Sequence, residues 1–367
     1  MKLATIELSK SALLHNIAAF RALAPGVPCM AVVKANAYGH GLAEVARAIE
    51  GAVDAFQVDD LDELAALREV TDKRALVLGY VERDEISEAV RLGGELAIYD
   101  AERLPYLKKA FESTKVRPVV HVKVDALLGR QGILPNQAAA FAAELAKYPE
   151  IEVASVYAHF ANIEDTTDLT HAQAQLEMLA EARKAFAGVA GHSASSAAIM
   201  TVGAGPGSNL TRLGIGLYGC YPSAALARSH AEMALKPVLR WKTKLAQVKT
   251  LPAGHPVGYG LTYVTSKETR IGIVPQGYSD GYPRALSNTG EVLVGGVRRA
   301  VLGRVAMNMF AIDLSAAPEA KAEDVVVLIG RQGDEQITME ELAAKTGTIN
   351  YEMMARISPL LPREVLD

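Results

Sequence analysis

Cysteine is scarce in this sequence, which has only two among its 367 residues. Cys29 and Cys220 lie in apolar stretches without the spacing of metal ligands, so we interpret them as structural rather than reactive thiols and predict no metal site. Apolar runs of about eighteen residues are also absent, which argues against a membrane-spanning helix. The N-terminal stretch MKLATIELSKSALLHN lacks the apolar core of a signal peptide. We therefore expect a cytoplasmic protein.

Charge of one sign is not in excess either. The formal net charge is -4, and the densest basic cluster is the pair Arg298–Arg299. This distribution predicts no nucleic-acid partner and no anionic membrane surface as a partner. By contrast, 50% of the residues are hydrophobic, which over this length is enough for a large core divided between two domains.

The first part of the chain alternates short β-rich runs with helical segments rich in Ala, Leu and Glu. We predict eight strands, at residues 27–35, 53–58, 74–80, 95–100, 117–125, 152–159, 190–195 and 210–219. The predicted helices between them include 41–50, 60–69, 84–92, 101–112, 135–147 and 170–188. Because parallel neighbours need a crossover helix, this order predicts an α/β fold, a (β/α)8 TIM-like barrel. An open doubly wound sheet is the alternative.

From about residue 235 the sequence becomes β-rich and is punctuated by Gly and Pro. This texture predicts a C-terminal, mainly antiparallel β domain. We set the domains at residues 1–234 and 235–367. A first strand near residues 3–8 is a candidate for packing with the C-terminal domain.

The stretch AVVKANAYGHG, residues 31–41, places Lys34 at the end of the first barrel strand. Barrel enzymes place their chemistry at the C-terminal ends of their strands. A lysine walled there by apolar residues loses hydration of its charged form and becomes a better nucleophile toward a carbonyl, which favours a Schiff base. A lysine that lays its stem along the strand end and keeps its charge in solvent explains the stretch equally well.

Nine motifs, in the same order, resemble those of the alanine racemases, a family of pyridoxal 5'-phosphate enzymes with an N-terminal barrel and a C-terminal β domain. The first is AVVKANAYGHG. The others are HVKVDALLGRQG (121–132), YAHFA (157–161), SASSAA (193–198), TRLGIGLYG (211–219), PVGYG (256–260), GYSDGYPR (277–284), GRVAMNM (303–309) and NYE (350–352). The resemblance covers essentially the whole chain, and it implies that Lys34 anchors the cofactor.

The resemblance also implies how the cofactor phosphate is held. Its partners would be the Ser196 hydroxyl, the amides of Gly214 and Ile215, and the hydroxyls of Tyr38 and Tyr351. Independently of the family, the region after the eighth strand is where barrels often bind phosphate.

Arg212 would face the pyridine nitrogen, with His159 near the ring and that arginine. Since an arginine keeps its proton and only donates hydrogen bonds, the ring nitrogen would stay largely unprotonated. The ring would then be a weaker electron sink, which limits side reactions of the quinonoid.

Racemisation removes a proton on one face of a planar carbanion and delivers one on the other, which a single base cannot easily do. The resemblance supplies Lys34 for the D enantiomer and Tyr259 for the L enantiomer. Arg130 would orient this tyrosine and the substrate carboxylate, and the Met307 amide would meet that carboxylate. Lys123 matches a lysine that the family carbamylates, which would turn a cation into an anion.

Two residues depart from the family pattern. Ser195 replaces the usual Asn before the phosphate serine. Asn308 replaces the usual Asp of an MDM sequence and removes a negative charge near the substrate entrance, where Tyr278 matches a gate tyrosine. We expect these two departures to leave the reaction type unchanged and to affect the substrate range and the electrostatics of the entrance.

The resemblance implies an enzyme that interconverts L- and D-alanine by two-base proton transfer on a pyridoxal phosphate aldimine and supplies D-alanine for peptidoglycan. It also implies a homodimer with shared active sites. An amino-acid decarboxylase of the same fold is disfavoured because we find no Cys-containing C-terminal signature of that class. A pyridoxal phosphate carrier would have the barrel alone, whereas this chain has a β domain with PVGYG.

Overall fold

The structure is a computed structural model that describes residues 3–205 and 207–367. The chain divides into two compact units. One consists of Ala12–Ala35 and Val45–Lys236, and the other of the segment up to Ser11, Asn36–Glu44 and Pro237–Asp367. The boundary set at residues 234 and 235 stays a prediction, because the units interleave along the chain.

Strands and helices alternate through the first unit. The chain begins with β1 (Thr5–Ser9), which belongs to the second unit. The next eight strands are β2 (Cys29–Val32), β3 (Ala55–Val58), β4 (Ala75–Val77), β5 (Gly94–Ile98), β6 (Val119–Lys123), β7 (Glu152–Tyr157), β8 (Gly191–His192) and β9 (Thr211–Leu213). Each lies within or beside one of the eight predicted strands.

These eight strands pair in parallel in the order β8-β7-β6-β5-β4-β3-β2-β9. The ends of the row are joined where the Asn209 amide donates to the Gly191 carbonyl at 3.0 Å and the Arg212 amide donates to the Ala194 carbonyl at 2.9 Å. The sheet is therefore a nearly closed barrel, which confirms the predicted fold and rejects the open sheet. All residues of β2, β3 and β4 are buried, as is usual for parallel strands covered on both faces.

Besides short 3-10 turns, twelve α-helical segments occur in the described residues. They are α1 (Lys10–Leu23), α2 (Lys34–Tyr38), α3 (Leu42–Ile49), α4 (Leu61–Arg68), α5 (Ile86–Arg91), α6 (Leu104–Thr114), α7 (Ala138–Leu145), α8 (Thr170–Arg183), α9 (Ser196–Val202), α10 (Ala224–Ser229), α11 (Met339–Thr346) and α12 (Asn350–Ala355). The six predicted helices correspond to α3 through α8. Among the helices of the described residues, none has the length and apolarity needed to cross a bilayer.

The short turn α2 winds in the left-handed sense. Ala35, Asn36, Ala37 and Tyr38 have φ angles of 53°, 52°, 54° and 52°. L-residues usually visit this region singly, because the Cβ atom crowds the following carbonyl. The backbone after β2 therefore leaves the strand along a path that an ordinary right-handed helix would not take.

The second unit is mainly an antiparallel sheet, as predicted. Its later strands are β10 (Leu239–Lys244), β11 (Gln247–Leu251), β12 (Thr269–Val274), β13 (Glu291–Val294), β14 (Val297–Leu302), β15 (Phe310–Asp313), β16 (Val325–Gln332), β17 (Glu335–Ile337) and β18 (Arg363–Leu366). Their order is β11-β12-β15-β14-β13-β16-β10-β1-β18, with β17 on β16. β1 pairs with β10 antiparallel and with β18 in parallel. In the core, Tyr282 stacks on Phe310 with ring centroids 4.7 Å apart.

Candidate active site

Lys34 follows the carboxyl end of β2, where an acidic side chain meets it. Its Nζ atom lies 3.0 Å from Oδ1 of Asp59, which comes directly after the neighbouring strand β3, and the two side chains are 35% and 47% exposed. Apolar residues alone therefore do not surround the amine, contrary to our expectation from the sequence. Asp59 was not predicted, although an acidic residue directly after a strand-like run is a visible signal.

Arg212, on β9, is buried, with 4% of its surface exposed. It donates to the carbonyl oxygens of Ala158 at 3.0 Å and Ser193 at 3.2 Å, and it contacts Nδ1 of His159 at 3.2 Å and Nδ1 of His192. Burial lowers the pKa of Arg212 to about 10, so the group stays cationic at neutral pH. Burial and this neighbouring charge hold the pKa of His159 well below its usual value, which leaves a neutral imidazole.

A row of buried polar groups continues from Arg212 into the barrel. Nε2 of His192 lies 3.2 Å from Nδ1 of His121, and Nε2 of His121 lies 2.7 Å from Oε2 of Glu95. Arg74 donates to Oε1 of Glu95 at 2.6 Å. Although burial raises the pKa of Glu95, the hydrogen bonds from His121 and Arg74 lower it to about 2, so it is a carboxylate. We did not predict this row, although each member is polar within or beside a short apolar strand.

Lys123 and Arg130 flank a tight loop after β6. Lys123 is buried, with its ammonium 4.8 Å from the centroid of the Tyr157 ring. Burial, with Arg212 and Arg130, brings the pKa of Lys123 well below its usual value. Asp125 holds the loop by accepting from the backbone amides of Leu128, Gly129 and Arg130 at 3.0, 3.0 and 3.2 Å. The side chain of Arg130 is exposed.

Ser196 and the turn after β9 form a cluster of donors. The Ser196 hydroxyl accepts from the amides of Gly214 at 3.1 Å and Gly216 at 3.2 Å, and Ile215 begins the single helical turn Ile215–Tyr218. A Cβ atom at Gly216 would come within 2.3 Å of the Phe20 ring. Close packing therefore fixes a turn whose amides point to one place, an arrangement that binds anions. Gly216 was missed, because a glycine after a strand usually marks only a turn.

Tyr38 and Tyr351 lie together in the second unit, with ring centroids 6.1 Å apart. Gly39 explains the approach of their segments: a Cβ atom there would come within 2.0 Å of the Met354 carbonyl oxygen. The Arg363 guanidinium also donates to the Gly39 carbonyl at 2.8 Å. The structure thus brings together the two tyrosines that the resemblance assigned to one phosphate.

His40 lies beneath this turn and is buried, with Nδ1 2.9 Å from the Tyr38 carbonyl oxygen. Burial lowers the pKa of His40 to about 4, whereas an unfolded histidine has a pKa of about 6.5. The unfolded chain therefore binds more protons as the pH falls between these values. The neutral histidine contributes stability that is complete above pH ~6.5 and is lost on acidification, by about 3 kcal/mol near pH 4.

We therefore expect the urea midpoint to fall as the pH is lowered from about 7 to 5, because His40 resists protonation in the folded state. His40→Gln removes this titration and should make the decline shallower, relative to its own value at neutral pH, while His159 and His192, whose pKa values burial also lowers, continue to contribute. Exposed His255 offers a matched control, since His255→Gln should keep the wild-type slope. A decline equally steep in His40→Gln and wild type would contradict the assignment.

The remaining predicted residues lie on exposed loops of the second unit. Tyr259, Tyr278 and Met307 are 75%, 44% and 55% exposed. The loops of Tyr278 and Met307 are held together, since the Ser279 hydroxyl donates to the Met307 carbonyl at 2.9 Å and accepts from the Asn308 amide at 2.8 Å. An aspartate at this position has no N–H for that serine, so Asn308 offers a bond that the family's usual residue lacks.

Within the first unit, the barrel thus combines a primary amine, a buried cationic donor and a cluster of backbone amides around a hydroxyl. Such a donor set suits a phosphorylated aromatic aldehyde: the amine can attack the carbonyl, and the donors can hold an anion and a ring nitrogen.

Comparison with known proteins gives matches along the chain. The family model of the alanine racemase N-terminal domain matches residues 8–222, and that of the alanine racemase C-terminal domain matches residues 238–365. The alanine racemase of Syntrophobacter fumaroxidans is 40% identical over 368 residues, covering 96% of this chain and 94% of its own. That of Carboxydothermus hydrogenoformans is 39% identical, with coverage of 97% and 98%.

Solved structures agree with these matches. The alanine racemase of a D-cycloserine-producing Streptomyces lavendulae is 33% identical, with a TM-score of 0.92 and coverage of 100% of this chain and 98% of its own. The Bacillus anthracis alanine racemase, solved with bound L-Ala-P, is also 33% identical, with a TM-score of 0.91 and coverage of 100% and 96%.

Proposed function

The chain belongs to the alanine racemase family, and from this premise we propose that it interconverts L- and D-alanine with pyridoxal 5'-phosphate as its cofactor. The enzyme is an isomerase. The observation that carries the cofactor proposal is the buried, cationic Arg212, a group with donors only, in a barrel that also holds Lys34 and the Ser196 donor cluster.

The residues fit the cofactor by their chemistry. Lys34 offers the amine for the aldehyde, and the Ser196 hydroxyl with the amides of Gly214 and Ile215 would hold the phosphate. Tyr38 and Tyr351 would add hydroxyl donors. This assignment draws support from the close approach of the Gly214 amide to Ser196 and from the pairing of the two tyrosine rings.

Two bases would move the proton. When bound, pyridoxal phosphate supplies an electron-withdrawing system that acidifies the α-hydrogen of alanine. Nζ of Lys34 would exchange a proton with the D enantiomer, and Oη of Tyr259 with the L enantiomer, on opposite faces. Arg212 would donate to the ring nitrogen without giving up its proton. His159 stays neutral beside it and adds no second charge.

Arg130 and the Met307 amide would bind the alanine carboxylate. We propose that Lys123 is carbamylated, so that its anion holds Arg130. Support comes from burial, because a pKa of Lys123 held well below its usual value increases the share of uncharged amine, the form that attacks carbon dioxide and loses a proton to give the carbamate. The product carries a negative charge among the cations Arg130 and Arg212, where an ammonium would be repelled.

We further propose a homodimer whose sites take residues from both chains. Lys34 and Tyr259 belong to different units, and Tyr259, Leu261 and Met307 expose large side chains to solvent. Apolar and aromatic groups on exposed loops are typical of interfaces. Tyr278 would then guard the entrance. By resemblance, the enzyme works in the cytoplasm and supplies D-alanine for peptidoglycan.

An assay of the purified protein with pyridoxal phosphate tests the proposal. L-alanine should lose its optical rotation, and D-amino-acid oxidase should detect D-alanine, until the two enantiomers are equal. The D-to-L direction should reach the same mixture, because an isomerase changes only the rate. Release of carbon dioxide without D-alanine would indicate a decarboxylase, and cofactor binding without turnover would indicate a carrier; either result refutes racemisation.

A further inference from the structure

A chain of hydrogen bonds connects four barrel strands behind Arg212. It runs from Arg212 on β9 to His192 on β8, then to His121 on β6 and Glu95 on β5, and it ends at Arg74 before β4. The side chains of His192 and His121 are about 1% exposed and that of Glu95 is 8% exposed. The Arg74 side chain is 57% exposed, so water reaches that end of the row but has little access to the two imidazoles between Arg212 and Glu95.

The chemistry of the two ends fixes the direction of every bond between them. A guanidinium only donates, so Nδ1 of His192 must accept from Arg212, and the proton of a neutral His192 lies on Nε2. Nε2 then donates to Nδ1 of His121 at 3.2 Å. The proton of His121 consequently lies on its own Nε2, which donates to Glu95 at 2.7 Å. Both imidazoles donate toward the carboxylate.

Ser155 is compatible with this order. Its hydroxyl lies 2.6 Å from Nδ1 of His121, and since a hydroxyl can donate, it shares the single Nδ1 lone pair with Nε2–H of His192. At the far end, Glu95 is an ionised carboxylate and accepts from Arg74 as well as from His121. Of the five members of the row, Glu95 alone has acceptors only.

We propose that Glu95 is a positioning residue for racemisation. By accepting from His121, it keeps the Nδ1 lone pair of His121 available to His192, and His192 in turn keeps its own Nδ1 as an acceptor for Arg212. Glu95 thus holds the Arg212 guanidinium in orientation through two imidazoles. The catalytic consequence rests on the proposed function, in which Arg212 faces the cofactor ring.

Glu95→Gln reverses the row without changing its size. Arg74 donates to both oxygens of Glu95, at 2.6 and 3.1 Å, so it should capture the single amide oxygen and turn the amide N–H toward His121. The proton of His121 would then move from Nε2 to Nδ1, and that of His192 likewise. His192 would then present N–H to the donor Arg212, and the two would repel.

The nitrogen that carries the proton in each imidazole can be identified by 15N NMR of the full chain, deuterated and labelled with 15N at histidine. Signals are assigned with His121→Gln and His192→Gln. Wild type should carry both protons on Nε2, and Glu95→Gln should carry both on Nδ1. Racemisation should fall about ten- to a hundredfold in Glu95→Gln, as expected for losing a hydrogen bond to a charged group, mainly through kcat.

Arg74→Met combined with Glu95→Gln provides the rescue. Without Arg74 the amide oxygen is free to accept from His121, so both the nitrogen signals and the activity should return toward wild type. Glu152→Gln is the charge-matched control, because Glu152 lies on the exposed side of β7 and pairs with Arg117 at 3.4 Å. It should leave the His192 signals unchanged.

A wild-type His121 with its proton on Nδ1, or on both nitrogens, would overturn the proposal without any variant. So would an unchanged His192 in Glu95→Gln, or a double variant that stays reversed. These NMR results do not depend on catalytic activity. A wild-type protein that fails to racemise alanine would refute the proposed function. The order of the hydrogen bonds would still be decided by the 15N signals of His121 and His192.

Discussion

Lys34→Ala is expected to lower racemisation by about 10³-fold or more, because one residue is both the anchor of the cofactor and one of the two bases. The variant should also lose the link to pyridoxal phosphate that borohydride reduction makes permanent. Both are measured on the same preparation, activity by formation of D-alanine and the link by the mass of the reduced chain. Folding should persist, since Lys34 is 35% exposed and loses only its surface ion pair with Asp59.

Lys249→Ala is the matched control, since Lys249 is exposed on β11 and should change neither readout. A Lys34→Ala protein that still forms the reducible link would remove the anchor assignment. If Lys34→Ala loses the link but racemises alanine at the wild-type rate, Lys34 is not one of the two bases. It would then anchor the cofactor without taking part in proton transfer.

Mixing two inactive proteins should restore activity to about a quarter of the wild-type value. Lys34→Ala lacks one base and Tyr259→Phe lacks the other, so each homodimer should be nearly inactive. In a mixed dimer with shared sites, one site combines the intact lysine of one chain with the intact tyrosine of the other. Equal amounts give about half mixed dimers, and half of their sites are complete. Tyr259 is 75% exposed, so Phe should not disturb folding.

Subunit exchange must be verified separately, for example by mass spectrometry of differently tagged chains. The control mixes Lys34→Ala with Lys34→Ala carrying the second tag, and should stay inactive. If exchange is complete and no activity returns, both bases come from the same chain or Tyr259 is no base, and the shared-site model fails.

The fold was readable from the sequence because parallel strands and their crossover helices leave a strong local pattern. Even the strand predicted at residues 190–195, which has little β-rich sequence, is present as the two-residue β8 (Gly191–His192). The β-rich texture after residue 235 likewise predicted the antiparallel sheet, but the order of its strands did not follow from the pattern. The sequence made a first strand near residues 3–8 a candidate for packing with the C-terminal domain, but it did not specify the parallel pairing of β1 with β18 at opposite ends of the chain.

The site was readable only where a family motif marks it. Glu95, His121 and His192 meet because neighbouring barrel strands adopt a particular register, in which His121 lies opposite Ala97 and Ser155. Residues 26 and 71 positions apart give no hint of this contact. Asp59 was overlooked because the acidic pair after β3 also serves as a helix start, where Asp60 caps α4 by accepting from the Glu63 amide.

The left-handed turn at residues 35–38 has a consequence for how this protein can evolve. Four L-residues in that conformation cost roughly 4–8 kcal/mol together, against a net stability of about 5–15 kcal/mol for a typical domain. Glycine at Ala35 or Ala37 would relieve part of that cost, so selection for heat resistance favours it. The same glycine would loosen the backbone beside Lys34, so selection for turnover opposes it. Adaptation to temperature and adaptation to flux therefore compete at Ala35 and Ala37.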